Sequence, residues 1–230
     1  MAEVADLKRI AGERAADEAR DGMLVGLGTG SNAVWAIRRL AQRMREEGLH
    51  IRGVPTSLAS EQLATELGIP LAPFDEAMRP DLAIDGADEI DPAFNMIKGG
   101  GGALLREKVV ARRARRVVIA VEPKKLVKRL GESFALPIEV VPVVWRVVAD
   151  ELVELGAAPA LRTRDGQPFL SDNGNYILDA RFSGIDHAAE LARRLNEIPG
   201  VVENGLFVGL CHVLVVGRAE GAEVLRPAAG

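Results

Sequence analysis

Four short apolar runs in the first half of the chain each follow a stretch of helical character. That alternation confines the half to a mainly parallel sheet. Residues 23–27 (MLVGL), 50–54, 82–85 and 117–121 read as buried strands. Residues 4–20, 31–47, 57–67 and 103–115 read as helices. In the second helix, Val34, Ile37, Ala41 and Met44 recur on one face. Gly68 closes the third as a natural C′ residue. Strands connected through helices pair in parallel and carry helices on both faces, so a Rossmann-like α/β domain is expected.

The second half follows a different pattern. A strand is expected at 136–141. An apolar stripe of Val144, Val147, Val148, Leu152 and Leu155 marks a helix that ends at Gly156. Strands follow at 158–163 and 168–171. Asp172-Asn173-Gly174 signals a hairpin turn returning into a strand at 176–180. A helix over 186–197, with Asp186 as N-cap, leads to a strand near Val201. This β-α-β-β-α-β order predicts a smaller α+β domain of the split βαβ, ferredoxin-like kind. The apolar run 206–216 is long enough for one or two strands and can return to the first sheet. The domains expected are therefore 1–130 with 206–230, and 131–205, the latter a candidate oligomerisation unit.

Composition excludes several functions. A net charge of −4 gives no basic excess to neutralise phosphates, so no nucleic-acid partner is expected. Arg112, Arg113, Arg115 and Arg116 read as a solvated helix end. No apolar stretch is long enough to span a membrane, and the N-terminal residues lack a signal peptide's apolar core. Cys211, the single cysteine, lies in an apolar run and reads as a buried small hydrophobe, in keeping with a reducing cytoplasm. His50, His187 and His212 are scattered, without zinc-site spacing.

Chemistry concentrates in four segments. GLGTGSNA, residues 26–33, follows a strand and opens a helix, which makes an anion site of backbone N–H groups. Thr29, Ser31 and Asn32 add side-chain donors. Ser31 stands where a dinucleotide fingerprint needs its third glycine, and no Walker lysine follows, so a phosphate monoester fits best. PTS, residues 55–57, begins at a strand's C-terminal end, with Ser57 and Ser60 as caps for the next helix. DGADEID, residues 85–91, crowds carboxylates, and like-charge repulsion raises at least one pKa in such a group. KGGGGALLREK, residues 98–108, adds Lys98 as a point charge for an oxyanion and a glycine tract for close approach to a small substrate. Glu107 is its candidate general base, with Leu104, Leu105, Val109 and Val110 as an apolar wall. Hard cations also favour carboxylates, but Lys98 offers the site its own counter-charge, so no metal is expected.

In this order and spacing, these four motifs, with SDNGNYILD and IPGVVENGLF further on, resemble the type A family of ribose-5-phosphate isomerases. The resemblance covers nearly the whole chain. It implies interconversion of ribose 5-phosphate and ribulose 5-phosphate in the non-oxidative pentose phosphate pathway, without cofactor or metal. It implies a phosphate loop of Thr29, Gly30, Ser31 and Asn32, with Asn32 where many members carry Thr. It further implies substrate loops of Asp85, Gly86, Ala87 and Asp88, and of Lys98, Gly99, Gly100 and Gly101. Glu107 is implied as proton acceptor, Lys125 as a substrate-binding lysine, and Lys8 as a further phosphate contact. A cytoplasmic homodimer or homotetramer is expected. Three rivals carry less. A sugar-phosphate sensor lacks a DNA-binding helix pair, a CoA-transferase-like enzyme lacks a second α/β unit, and a nucleotide-dependent oxidoreductase lacks the third glycine.

Overall fold

The computed structural model describes residues 4–74 and 79–227. The chain divides into two compact units. The first comprises Met1–Ala87, Arg106–Lys125 and Leu210–Gly230, and the second Asp88–Leu105 and Leu126–Gly209. Residues 88–105, grouped in the sequence with the larger domain, fall in the second unit.

The elements run along the chain as follows. Helix α1 (Val4–Ala16) precedes strand β1 (Leu24–Leu27), α2 (Ala33–Glu46), β2 (Arg52–Pro55), α3 (Leu58–Glu66) and β3 (Leu82–Asp85). Two short strands, β4 (Glu89–Ile90) and β5 (Met96–Ile97), come before α4 (Leu104–Arg113) and β6 (Val117–Val121). Then come β7 (Leu136–Val140), α5 (Trp145–Glu154), β8 (Ala158–Leu161), β9 (Thr163–Arg164), β10 (Gln167–Pro168) and β11 (Tyr176–Arg181). The chain continues through α6 (Ala188–Asn196), β12 (Val201–Asn204), β13 (Leu206–Phe207), β14 (Val213–Arg218) and β15 (Gly221–Leu225).

The first unit is the α/β domain expected. Its sheet has the order β15-β14-β6-β3-β1-β2, parallel except for the edge hairpin β14–β15. Side chains alternate between its faces. Val25 and Leu27 join the buried cluster with Ala11, Ala15, Ile37, Leu40 and Ala64 of α1, α2 and α3. Gly26 faces the other way, where a Cβ would lie 2.5 Å from Val110 of α4. Helices therefore cover both faces. The chain moves from β1 outward to β2, then crosses to β3 on β1's other side. This reversal is the switch point at which open α/β sheets bind ligands.

The second unit holds an antiparallel sheet of order β12-β7-β11-β8, the order of a split βαβ domain. Its core contains Leu136, Ile138 and Val140 with Val148, Leu152 and Leu195. A small sheet, β13-β5-β4, lies in the same unit. Its two-residue strands are too short for periodicity to show.

The 206–216 run forms two strands, β13 paired with β5 and β14 returning to the first sheet beside β6, as expected. Other local expectations change. The turn at 171–175 is present, with the Gly174 N–H donating to the Ser171 carbonyl. However, β11 pairs with β7 and β8 rather than with 168–171, where a single bridge joins Leu170 and Tyr176. Asp186 does not cap α6. His187 holds the N-cap position without a side-chain bond, and the Asp186 carboxylate lies 3.3 Å from Arg129 Nη1.

Glu89, inside the acidic run, is fully buried and structural. Its carboxylate accepts from the N–H groups of Gly131 (2.6 Å), Ser133 (2.7 Å) and Phe134 (2.7 Å) and from Ser133 Oγ (2.7 Å). Removing it strands several donors, each costly when unmet. Glu89→Ala is expected to lower the unfolding free energy by about 3 kcal/mol in urea denaturation, and an unchanged midpoint would contradict the assignment.

Candidate active site

In the first unit, the turn after β1 leads directly into the N-terminus of α2. Gly30 takes φ +99°, a conformation that suits glycine, and the Gly30 carbonyl accepts from the Val34 N–H to start α2. Asn32 stands at the N-cap of α2 with helical dihedrals, and its side chain makes no capping bond. Its Nδ2 is buried without a hydrogen-bond partner among the described residues. A buried donor with no acceptor is costly, and this one stands at the positive end of a helix.

Thr29 is braced from the next loop. Its Oγ1 donates to Ser57 Oγ at 2.8 Å and lies 2.8 Å from Thr56 Oγ1, while Thr56 Oγ1 donates to the Leu27 carbonyl. Ser57 also caps α3, accepting from the Ser60 N–H at 3.1 Å while Ser60 Oγ accepts from the Ser57 N–H at 3.0 Å. The PTS segment thus caps one helix and fixes the loop before another.

Asp85 ends β3 beside this loop. Its Oδ1 accepts from the Thr29 N–H at 3.0 Å and the Gly86 N–H at 2.8 Å. Glycine at 28 makes this possible, because a Cβ there would sit 2.3 Å from Asp85 Oδ1. Gly86 lies under Asn32, with its virtual Cβ 3.6 Å from Asn32 Cβ. The two motifs, 56 positions apart, form one structure at the switch point.

The second unit carries the 98–102 segment. Lys98 follows β5, is 3% exposed, and has its Nζ 5.4 Å from the centre of the Phe207 ring. Its backbone N–H donates to the Gly205 carbonyl. The glycine tract is an ordered turn: the Gly102 N–H donates to the Gly99 carbonyl at 2.9 Å, and the Gly100 N–H donates to Asp88 Oδ2 at 2.8 Å. Gly99 and Gly102 have φ of +103° and +80°.

Glu107 lies in the first turn of α4 and is 4% exposed. Leu104 and Val110 are buried, but Val109 faces out and belongs to no apolar wall. Lys125 ends a single 3₁₀ turn after β6 and is half-buried, whereas Lys124 is exposed and pairs with Glu122 at 3.4 Å. Lys8 is half-buried on α1, next to Leu7, whose carbonyl lies against Gly217 of β14. The first unit thus holds Lys8, Thr29, Gly30, Ser31, Asn32, Asp85, Gly86, Ala87, Glu107 and Lys125, and the second Asp88, Lys98, Gly99, Gly100 and Gly101.

Sequence reasoning passed over Glu122. It is 1% exposed at the C-terminal end of β6, and neither carboxylate oxygen accepts a hydrogen bond. An acidic residue directly after the VVIAV strand was the signal available. Among the described residues, no cluster of three or more His, Cys, Asp or Glu is arranged to hold a metal ion, and no helix is long and apolar enough to cross a membrane.

Comparison with known proteins gives this geometry a context. The family model described as ribose 5-phosphate isomerase A (phosphoriboisomerase A) matches residues 52–221. The ribose-5-phosphate isomerase A of Cereibacter sphaeroides is 49% identical over 226 residues, covering 95% of this chain and 90% of its own. The chain belongs to the ribose 5-phosphate isomerase A family. The solved structure of that family's member from Methanocaldococcus jannaschii superposes with a TM-score of 0.93 at 43% identity, covering 97% of this chain and all of the other. A D-ribose-5-phosphate isomerase solved in complex with phospho-erythronic acid gives 0.95 at 39% identity, covering 98% of this chain and 100% of that one.

Cys211 stands apart from these residues. Burial pushes its thiol up from the ordinary 9.0 to about 12, despite a bond to the Val213 carbonyl. The folded chain therefore holds this proton across a range where the unfolded chain releases it. Stability is expected to fall as pH rises from 9.0 towards 12. At pH 8, iodoacetamide is expected to label Cys211 only after unfolding, and rapid labelling of the folded chain would contradict the burial.

Proposed function

We propose that the chain interconverts D-ribose 5-phosphate and D-ribulose 5-phosphate through a cis-enediolate, as a step of the non-oxidative pentose phosphate pathway. Membership of the isomerase family, with 49% identity to a curated relative over 95% of this chain, is the observation that carries this reading.

The roles follow from the chemistry each residue can perform. The phosphate docks on the 29–32 turn, with Lys8 and Lys125 as cationic contacts. The buried Asn32 Nδ2 meets a phosphate oxygen in place of the hydroxyl that many members use. A carboxyl of the Asp85/Asp88 pair moves the oxygen proton as the furanose ring opens. Glu107 takes the proton from C2 of the open aldose and returns it to C1. Both electron pairs stay within the sugar, so neither an oxidant nor a metal is required. Lys98 and N–H groups of the glycine turn stabilise the negative oxygen of the enediolate. The relative's ligand, phospho-erythronic acid, fits the same logic, because its carboxylate and phosphate present charges at the two ends of an open chain.

Assembly as a homodimer or homotetramer in the cytoplasm belongs to the same reading. Val143, in the short 3₁₀ turn just before α5, and Val147, within α5, are strongly exposed and support an interface there.

Two variants test the assignments. Glu107→Gln keeps the side chain's shape and removes its basicity, so turnover of ribose 5-phosphate is expected to fall by about 10²- to 10⁴-fold. Turnover within a few-fold of the parent would remove Glu107 from the role. Asn32→Leu removes a donor that no protein group uses. Its KM for ribose 5-phosphate is expected to rise roughly 10-fold with kcat and melting temperature little changed. An unaltered KM would take Asn32 out of the phosphate grip.

A further inference from the structure

Arg162 links the small domain's hairpin to the glycine turn. It follows β8, and its backbone is tied at both ends: its N–H donates to the Ile177 carbonyl at 2.8 Å, and its carbonyl accepts from the Phe169 N–H at 2.9 Å. Its side chain is 14% exposed. Nε and Nη2 hold the two oxygens of Asp179, a two-pronged pair with Nε–Oδ2 at 2.9 Å. Nη1 donates to the carbonyl of Gly99 at 3.0 Å and to that of Gly100 at 3.1 Å. The Phe169 ring lies against Gly102, where a Cβ would come within 2.4 Å of it, and the guanidinium groups of Arg162 and Arg164 stand over that ring.

A structural staple for a surface hairpin would be complete with the Asp179 pair alone. Here the same guanidinium reaches back about 60 positions in sequence to the backbone that holds the most conformational entropy in the chain. The Gly99 carbonyl, the Gly100 N–H, the Gly100 carbonyl and the Gly102 Cα are all held by neighbours. Peptides are planar and trans, so a carbonyl and the following N–H point in opposite directions. Drawing the Gly100 carbonyl onto Arg162 therefore turns the Gly101 N–H away from the guanidinium. A cation on that carbonyl also polarises the amide and strengthens its N–H as a donor.

We propose that Arg162 is a positioning residue for the isomerisation, locking and polarising the glycine turn so that the Gly101 N–H is presented to the sugar oxygen that becomes negative. The inference rests on the isomerase reading above. It gives the small domain a part in the chemistry that assembly alone would not.

The test compares the parent with Arg162→Ala and Arg162→Lys in ribose 5-phosphate isomerisation, with melting curves for each. The lysine keeps the charge but cannot hold Asp179 in two prongs and both carbonyls together. The alanine variant is expected to lose about 10- to 100-fold in kcat with KM within about 3-fold of the parent, less than the roughly 10²- to 10³-fold that follows outright loss of an oxyanion donor. Millimolar guanidinium chloride is expected to restore part of that loss. Phospho-erythronate is expected to bind more weakly to the variant, while inorganic phosphate, which needs the 29–32 turn with Lys8 and Lys125 but not the glycine turn, competes as well as before. The lysine variant is expected to fall between the two and carries the test if the alanine variant does not fold. A folded variant with the parent's kcat, a loss confined to KM, or a kcat loss that guanidinium leaves untouched overturns the proposal. A parent that does not isomerise ribose 5-phosphate overturns the isomerase reading first and this inference with it. An active parent with equally active Arg162 variants overturns this inference alone.

Discussion

The Asp85 carboxylate is the contact on which the first unit's site depends. One oxygen accepts the N–H groups of Thr29 and Gly86, so the loop after β1 and the loop after β3 hold one shape. Everything around it makes that contact possible. The β1–β3 pairing brings the two strand ends together, and Gly28 leaves the space for the oxygen. Thr56 and Ser57 then brace the Thr29 side chain from the β2 end. A loop built this way is held in shape by the fold's own hydrogen bonds.

The acidic run after β3 divides its labour. Asp85 organises backbone, Asp88 holds the Gly100 N–H, and Glu89 ties down the 131–134 segment of the second unit. Asp91 closes its own turn through the Asn95 N–H. Residues that read in the sequence as one crowded reactive cluster are thus spread over distinct backbone partners.

The strand–helix alternation was readable because each element of the first unit is long enough to show its period. The 82–85 and 117–121 strands appear with the bounds expected. The split βαβ order was legible for the same reason. What stayed hidden was either too short or too distant. The two-residue strands β4, β5 and β13 carry no period, and Asp186 could be mistaken for a cap because Arg129, its actual partner, lies 57 positions away. Of the candidate residues, Thr29, Asp85, Lys98 and Glu107 were legible because each lies in a local motif. The bracing of Thr29 by Thr56 and Ser57, the buried Glu122 and the Arg162 grip did not, since each depends on tertiary neighbours that no spacing reveals.

The central claim is that a single protein base carries the proton between C2 and C1 of an open-chain sugar phosphate. Isomerisation of ribose 5-phosphate deuterated at C2, followed by NMR of the ketose in light water, tests it most directly. A carboxylate base that exchanges with solvent between the two steps predicts a primary isotope effect and deuterium at C1 in only a fraction of the product. Deuterium absent from C1 altogether would show that the base does not carry the C2 proton to C1 and would contradict the account.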